Sequence, residues 1–501
     1  MALSLFGEAL QHALSTNILR LLLSAATLGF TVEEYLYGLL GLYTATVVAV
    51  TVAYLTTTPF SLLQVFFHVG CISAAFNTGL ASSIAIYQLF FHRLRRLQYH
   101  VEIAAMHNKY GDFFRTGPRE IRIVRKSAVP LFLSPQSNCG KSTFYAQAQT
   151  EAKYCNVHQT RDPEDHHRQR KAWDRGFSVK ALLTYEPSIG AKADLLISHL
   201  EKNRAQAIDV TKWSMFLNFD IMGKVGFGKE LNNLSTGMEH PGIKAIHDHM
   251  AILGVMGHVP WLLDLFSHLP GATSSMAEFF KWCEDDINWD INEPPQDVTS
   301  WLLKAYIQKE VSATPTENAL HEDSRAVIVA GSKTTATTLA SILYYLCKNP
   351  EILAKLQRLL DEAMPGGPLE WTYDKIKTIS YLDDIIGEML RLRPEILTGG
   401  YRVTPVEGLQ VDELIQTDER YYKEMIQEGA PYFPFLYSLY VCPGKNLALM
   451  SLGISVSKLA QLYDKHFAPG ETGELFETRT LDTFTTTLPP LHVQFVHRYM
   501  R

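Results

Sequence analysis

The run from Phe435 to Met450, FLYSLYVCPGKNLALM, leads an irregular loop into Cys442, then Pro443 and Gly444, then an apolar helix. A cysteine just ahead of a helix meets unpaired N–H groups and the positive end of the helix dipole, and both favour thiolate over thiol. Pro443 has no N–H, so Gly444 and Lys445 are the candidate donors to sulfur. A lone cysteine beside a helix is also a common small buried hydrophobe, so its companions decide. Glu388 and Arg391 stand three apart, within pairing reach on one helical face. Leu392-Arg393-Pro394 and Gly399-Gly400-Tyr401-Arg402 follow, a helix leading into a strand near a polar ligand. The third companion is Ala330-Gly331-Ser332-Lys333-Thr334-Thr335, in the middle of a long apolar stretch. Glycine costs about 1 kcal/mol there relative to alanine, and adjacent β-branched threonines add strain. A helix built this way opens room for a small ligand, or is a core helix with tolerated small residues.

These residues need elements to hold them. Glu322 to Leu346 reads as one long helix that Lys348-Asn349-Pro350 ends, with another from Pro350 to Ala363. Asp162-Pro163-Glu164 opens a helix, and amphipathic helices succeed one another to about residue 290. Gly271 to Ser275 reads as a loop, and Asn292 to Asp297 as a break before a helix from Val298 to Lys309. Short strands are expected at Glu120–Val124, Gly400–Thr404 and Leu491–His497. The expectation is a mainly α domain with a minor β component.

From Tyr35 to His92 there is no Asp, Glu, Lys or Arg. Tyr35 to Leu55 and roughly Val69 to Phe91 are each long enough to cross a bilayer, which takes about 20 apolar residues. A shorter segment, Ile18 to Phe30, lies on the surface or completes a third span. The basic cluster His92-Arg93-Leu94-Arg95-Arg96 then places the downstream chain on the cytoplasmic side. The expected organisation is a membrane anchor over 1–96 and a catalytic domain over 97–501. A net charge of −6 with no long basic stripe argues against nucleic acid. Six scattered cysteines argue against a disulfide framework and for a reducing compartment.

The cysteine loop, the Glu388–Arg391 pair and the Gly331–Thr334 run, in this order along the chain, resemble the cytochrome P-450 family from about residue 100 to 498. The likeness is closest to fungal microsomal members, from Arg161-Asp-Pro-Glu-Asp-His166, Arg170-Lys-Ala-Trp173 and Cys442 to Met450. The resemblance implies a cytochrome P-450 fold preceded by transmembrane helices. It implies heme b with Cys442 as the iron ligand, whose thiolate assists O–O cleavage. It assigns Glu388 and Arg391 to the haem-side core and Phe435 to the opening of the cysteine loop, which Gly444 follows. Arg170, and Arg402 as a second candidate, would hold a haem propionate. Thr334 would hydrogen-bond iron-bound dioxygen, with the Gly331 backbone beside the oxygen pocket. The implied partners are an apolar small substrate, expected from secondary metabolism, the membrane of the endoplasmic reticulum and an NADPH-dependent reductase meeting a basic surface that includes Lys445.

The sequence departs from that pattern in places. Lys333 stands where the family has an acid that relays protons. A cation there predicts impaired oxygen activation, relieved by Lys333→Asp. Ser438 replaces a glycine, a difficulty if the backbone needs positive φ, and Tyr440 replaces an arginine while keeping a hydroxyl donor. The chain from Glu407 to Phe435 is short, with Arg420 a candidate third member of the charge cluster, and the proline-rich hinge before Tyr110 is missing. The alternative reading is a haem-binding paralogue with impaired oxygen activation, or a rearrangement or dehydration catalyst. Cys139-Gly-Lys-Ser-Thr143 is a decoy, because Pro135 stands where a phosphate loop needs glycine. His247-Asp-His249 reads as a solvated helix face, and His166-His167 as part of a helix near the haem edge.

Overall fold

The computed structural model describes residues 97–117, 120–146, 155–204, 206–256, 274–285, 294–406, 408–411, 432–436 and 438–500. The expected membrane spans, the cluster at 92–96 and Arg420 with its neighbours lie outside the described residues. Arg96 to Arg501 forms one compact unit.

Helix boundaries follow local capping chemistry. After α1 (Tyr99–Tyr110), Asp162 caps α2 (Pro163–Gly176). Its carboxylate accepts the N–H of Glu164 at 2.9 Å, and Pro163 fills the first turn, where no N–H is needed. Ser178 caps α3 (Val179–Lys202), and Asp209 caps α4 (Val210–Phe227). α5 spans Pro241–Met256. Asp297 accepts the Ser300 N–H at 2.8 Å and starts α6 (Val298–Ile307). Thr316 caps α7 (Glu317–Lys348) through the Ala319 N–H, so this helix begins a turn earlier than the apolar pattern suggests. Asn349 closes it by donating its backbone N–H to the Tyr345 carbonyl at 2.9 Å, and α8 (Pro350–Ala363) follows at once. α9 covers Ser380–Leu392 and α10 Lys445–Leu462. One expectation fails: Ser274 and Ser275 open a helix, Ser274–Asp285, rather than lie in a loop.

The core centres on α4 against α7. Almost every residue of α4 is buried, as expected of a helix apolar on all sides. Among the described residues α7 alone is long and apolar enough to cross a membrane, and 72% of its most apolar window is buried inside the protein. It is a core helix.

The strands are short and antiparallel. β1 (Phe113–Gly117) pairs with β2 (Glu120–Ile123). β3 (Gly140–Lys141) pairs with β5 (Arg402–Val403), setting Lys141 opposite Arg402. β4 (Ile208–Asp209), β9 (His492–His497) and β6 (Tyr463–Phe467) form a three-stranded sheet in that order. β7 (Leu481–Thr483) and β8 (Thr485–Thr487) make a tight hairpin. The domain is mainly helical with a minor sheet component.

Candidate functional site

Cys442 lies just before α10. Its backbone N–H donates to the Phe435 carbonyl at 2.9 Å and closes the loop. The N–H groups of Gly444 and Lys445 donate toward its sulfur, as Pro443 requires. The net effect is nonetheless toward thiol. Burial pushes its pKa up, and the Gly444 N–H, the Arg170 charge and the Lys445 N–H offset this only in part. The residue is also exposed. The residue keeps open surface although its thiol is largely desolvated, and a metal ion would complete its deprotonation.

The loop is strained at Leu436 (φ 56°) and Ser438 (φ 70°). The left-handed backbone at 438 is real, and it favours the glycine that serine replaces, at a cost of about 1 kcal/mol or more. Arg170 donates to the Val441 carbonyl at 2.5 Å and pairs with Asp174 at 2.9 Å, so it braces the loop beside Cys442.

One wall of the site carries a cluster of cations. Lys141 is 5% exposed, and its ammonium donates only to the carbonyls of Val157 (3.1 Å) and His158 (2.8 Å). It lies 5.1 Å from the centre of the Tyr440 ring, and the Arg402 guanidinium lies 5.0 Å from the same ring. Arg402 donates to the Tyr145 hydroxyl at 3.3 Å, and its Nε has no partner among the described residues. His166 packs edge-on against Tyr440 at 4.8 Å, and its Nδ1 also lacks a partner there. Burial and then the Arg402 charge hold Lys141 at about 7, while burial and then Lys141 hold His158 at about 4 and His166 at about 3. No ion pair joins Lys141, Arg402 or His166 to a carboxylate among the described residues. Buried cations are normally paired, so the buried Lys141 and the half-buried Arg402 fit an anionic group that the described residues do not supply. Two haem propionates would satisfy them, and Cys442 would supply the iron ligand. The residues present therefore fit haem.

Lys141, Tyr145 and His166 extend the set expected from sequence. Lys141 sits inside the decoy run, whose backbone forms β3 and a short 3₁₀ turn rather than a phosphate cradle. Tyr440 does face this cluster.

The residues of α7 divide between two faces. Ala330 is exposed in mid-helix, and Thr334, one turn on, donates to its carbonyl at 2.6 Å. No hydrogen bond joins Thr334 to Cys442. Gly331 faces α4, where a Cβ would meet Met222 Sδ at 2.5 Å. Close helix packing, rather than room for a ligand, accounts for this glycine. Lys333 is 2% exposed and turned to the β7–β8 hairpin, where it donates to Thr487 Oγ1 at 2.7 Å and Thr483 Oγ1 at 3.2 Å. Burial holds it at about 7, so a fixed cation is not imposed at this position.

Glu388 and Arg391 form a two-pronged pair at 2.6 and 2.7 Å, and both side chains are exposed among the described residues. Tyr432 donates to the Gly387 carbonyl beside them at 2.6 Å. His247 and His249 are half-buried, and burial lowers both to about 4. They do not lie on a solvated face. No group of three metal-ligating side chains occurs among the described residues.

Comparison with known proteins agrees with this geometry. The Cytochrome P-450 family profile matches residues 80–408, well over half of the chain, and stops ahead of the cysteine loop. A cytochrome P-450 monooxygenase of Eupenicillium brefeldianum is 32% identical, over 84% of this chain and 95% of its own length. Another from Fusarium pseudograminearum is 30% identical, covering 85% and 86%. Tryprostatin B 6-hydroxylase of Aspergillus fumigatus is 28% identical, covering 81% of each chain. By profile and by relatives aligned along most of their length, the chain belongs to the cytochrome P-450 family and is an oxidoreductase.

Proposed function

We propose that the protein is a haem-thiolate monooxygenase that inserts one oxygen atom into an apolar small molecule of secondary metabolism. The observation that carries this is Cys442, an exposed residue at the start of α10, with the buried Lys141 and half-buried Arg402 that no carboxylate of the described chain balances. Bound heme b supplies dioxygen activation. Cys442 would be the thiolate that holds its iron, and Gly444 and Lys445 would temper the sulfur's charge by N–H donation. Lys141, Arg402, Tyr145, Tyr440 and His166 hold the propionates, while Arg170 and Phe435 keep the loop in shape. Thr334 presents a hydroxyl on the open face of α7, which Gly331 lets approach α4. Glu388 and Arg391 brace the end of α9. Residues 1–96 are the membrane anchor and 97–501 the catalytic domain, on the cytoplasmic face of the endoplasmic reticulum. A membrane-bound, NADPH-dependent reductase delivers the electrons to the surface around Lys445, which is exposed.

A second reading, a haem catalyst of rearrangement or dehydration or a paralogue with impaired oxygen activation, has one support: lysine rather than an acid at 333. The neutral tendency of Lys333 weakens it. A reduced, carbon-monoxide difference spectrum tests the first point. The thiolate band is expected in the wild type and absent in Cys442→Ser, and a wild type with no haem band sinks both readings. Oxygenated product formed per oxygen consumed with the reductase then separates them, since a rearrangement catalyst consumes no oxygen and an impaired paralogue consumes it without inserting it.

A further inference from the structure

Behind the open face of α7 lies a second polar cluster with a proton inventory of its own. Thr338 Oγ1 stands 3.0 Å from the Thr334 carbonyl and 2.7 Å from Glu395 Oε1. A hydroxyl has one proton, and a carbonyl can only accept. That one proton goes either to the Thr334 carbonyl, in which case the carboxyl must be the donor to Thr338, or to Glu395 Oε1, in which case it is the carboxyl's one hydrogen bond among the described residues. Its other oxygen, Oε2, is buried without a partner among the described residues, an arrangement that would leave an ionised carboxylate under-solvated. Lys333 gives the matching count. It makes two donations, to Thr483 and Thr487, whose hydroxyls lie 2.6 Å apart, and Thr483 lies 2.6 Å from the Thr485 carbonyl. Two donations are what a neutral amine has to give, and among the described residues its nitrogen makes no third hydrogen bond.

We propose that Glu395 is the proton-holding acid of this wall, in the carboxylic form one helical turn from Thr334, with Lys333 opposite it as a neutral amine. The carboxyl missing from position 333 is thus supplied from the segment after α9. Desolvation acts the same way on both groups, raising Glu395 well above its ordinary value and lowering Lys333. A cavity of about 230 Å³, lined by Lys333, Thr487, His247 and Glu239 among largely apolar side chains such as Met215 and Phe216, lies beside the amine. Of the neighbouring histidines on α5, His247 and His249 are both held neutral near pH 7 by burial.

The role of Glu395 in oxygen chemistry rests on the monooxygenase reading, but its protonation does not. Infrared spectra of wild type minus Glu395→Gln, with or without haem, should show a carboxylic-acid carbonyl band at pH 7 that shifts in D₂O and persists in Lys333→Met. The absence of that band overturns the proposal. Glutamine can donate an amide N–H to Thr338, so Glu395→Gln should melt within about 2 °C of wild type. A fall of more than about 5 °C would reveal a lost ion pair and overturn it equally. In the haem-loaded protein with its reductase, oxygen uptake should drop about tenfold or more in Glu395→Gln while the thiolate–carbon monoxide band stays intact. Unchanged uptake with an intact band removes Glu395 from proton supply.

Discussion

The wall made by α7 with the β7–β8 hairpin and the region around Cys442 bury polar groups in opposite ways. In the wall, Lys333 donates to Thr483 and Thr487, and Thr338 bonds Glu395, so the polar groups are met mainly by one another. Around Cys442 and Tyr440, Lys141 and Arg402 share a strand pairing with no acid between them, His166 has an orphaned nitrogen, and Ser438 and Leu436 hold left-handed backbone. The first region is satisfied largely from within, with Glu395 Oε2 left over. The second would be satisfied by an anion and a metal, so its cost to the haem-free chain would measure what it binds.

The largest effect should come from removing the cations. Replacing Lys141 and Arg402 together by methionine should cut haem affinity at least about tenfold, since each charged hydrogen bond contributes roughly 1.5–3 kcal/mol. The same change should leave the haem-free protein as stable or more so, because it ends a like-charge contact. Haem retention and melting of both forms check it, and destabilisation of both by equal amounts would reduce the cluster to ordinary packing.

A pH dependence comes next. Lys141, Lys333 and Lys465 are each held at about 7 in the folded chain against an ordinary 10.5. Between those values the unfolded chain binds more protons, so stability should rise with pH from about 7 to about 10.5 and be lowest below 7. Propionates beside Lys141 return its pKa upward, so melting curves should rise less steeply with pH in the haem-loaded protein than in the haem-free one. Identical slopes would detach Lys141 from haem.

The smallest effect concerns the loop. Ser438→Gly should stabilise the protein by about 1 kcal/mol by releasing the left-handed strain. Denaturant midpoints measure it, and a loss of stability would mean that the serine side chain contributes more than its backbone costs.

Much of this arrangement can be read in the chain itself, where the signal is local. Asp162 before Pro163, Asn349 before Pro350, and Cys442 before Pro443 and Gly444 each define a helix end by neighbouring chemistry. The cation cluster is not local. Lys141 gains its meaning from Arg402 and Tyr440, which only the β3–β5 pairing and the loop closure bring beside it. Its own surroundings, Cys139 to Thr143, suggest only a failed phosphate loop. Glu395 is similarly silent as a single acid after Pro394, until α7 sets Thr338 against it. Lys333 is visible as an anomaly, but the direction of its side chain, away from the Thr334 hydroxyl and into the hairpin, is a tertiary fact.

Haem titration into the haem-free protein, compared with haem whose two propionates are esterified, tests the central contrast most directly. Natural haem should bind at least about tenfold more tightly than the ester, with both giving the thiolate band. Equal affinity would contradict the account, because the cations at Lys141 and Arg402 would then have no anion to answer.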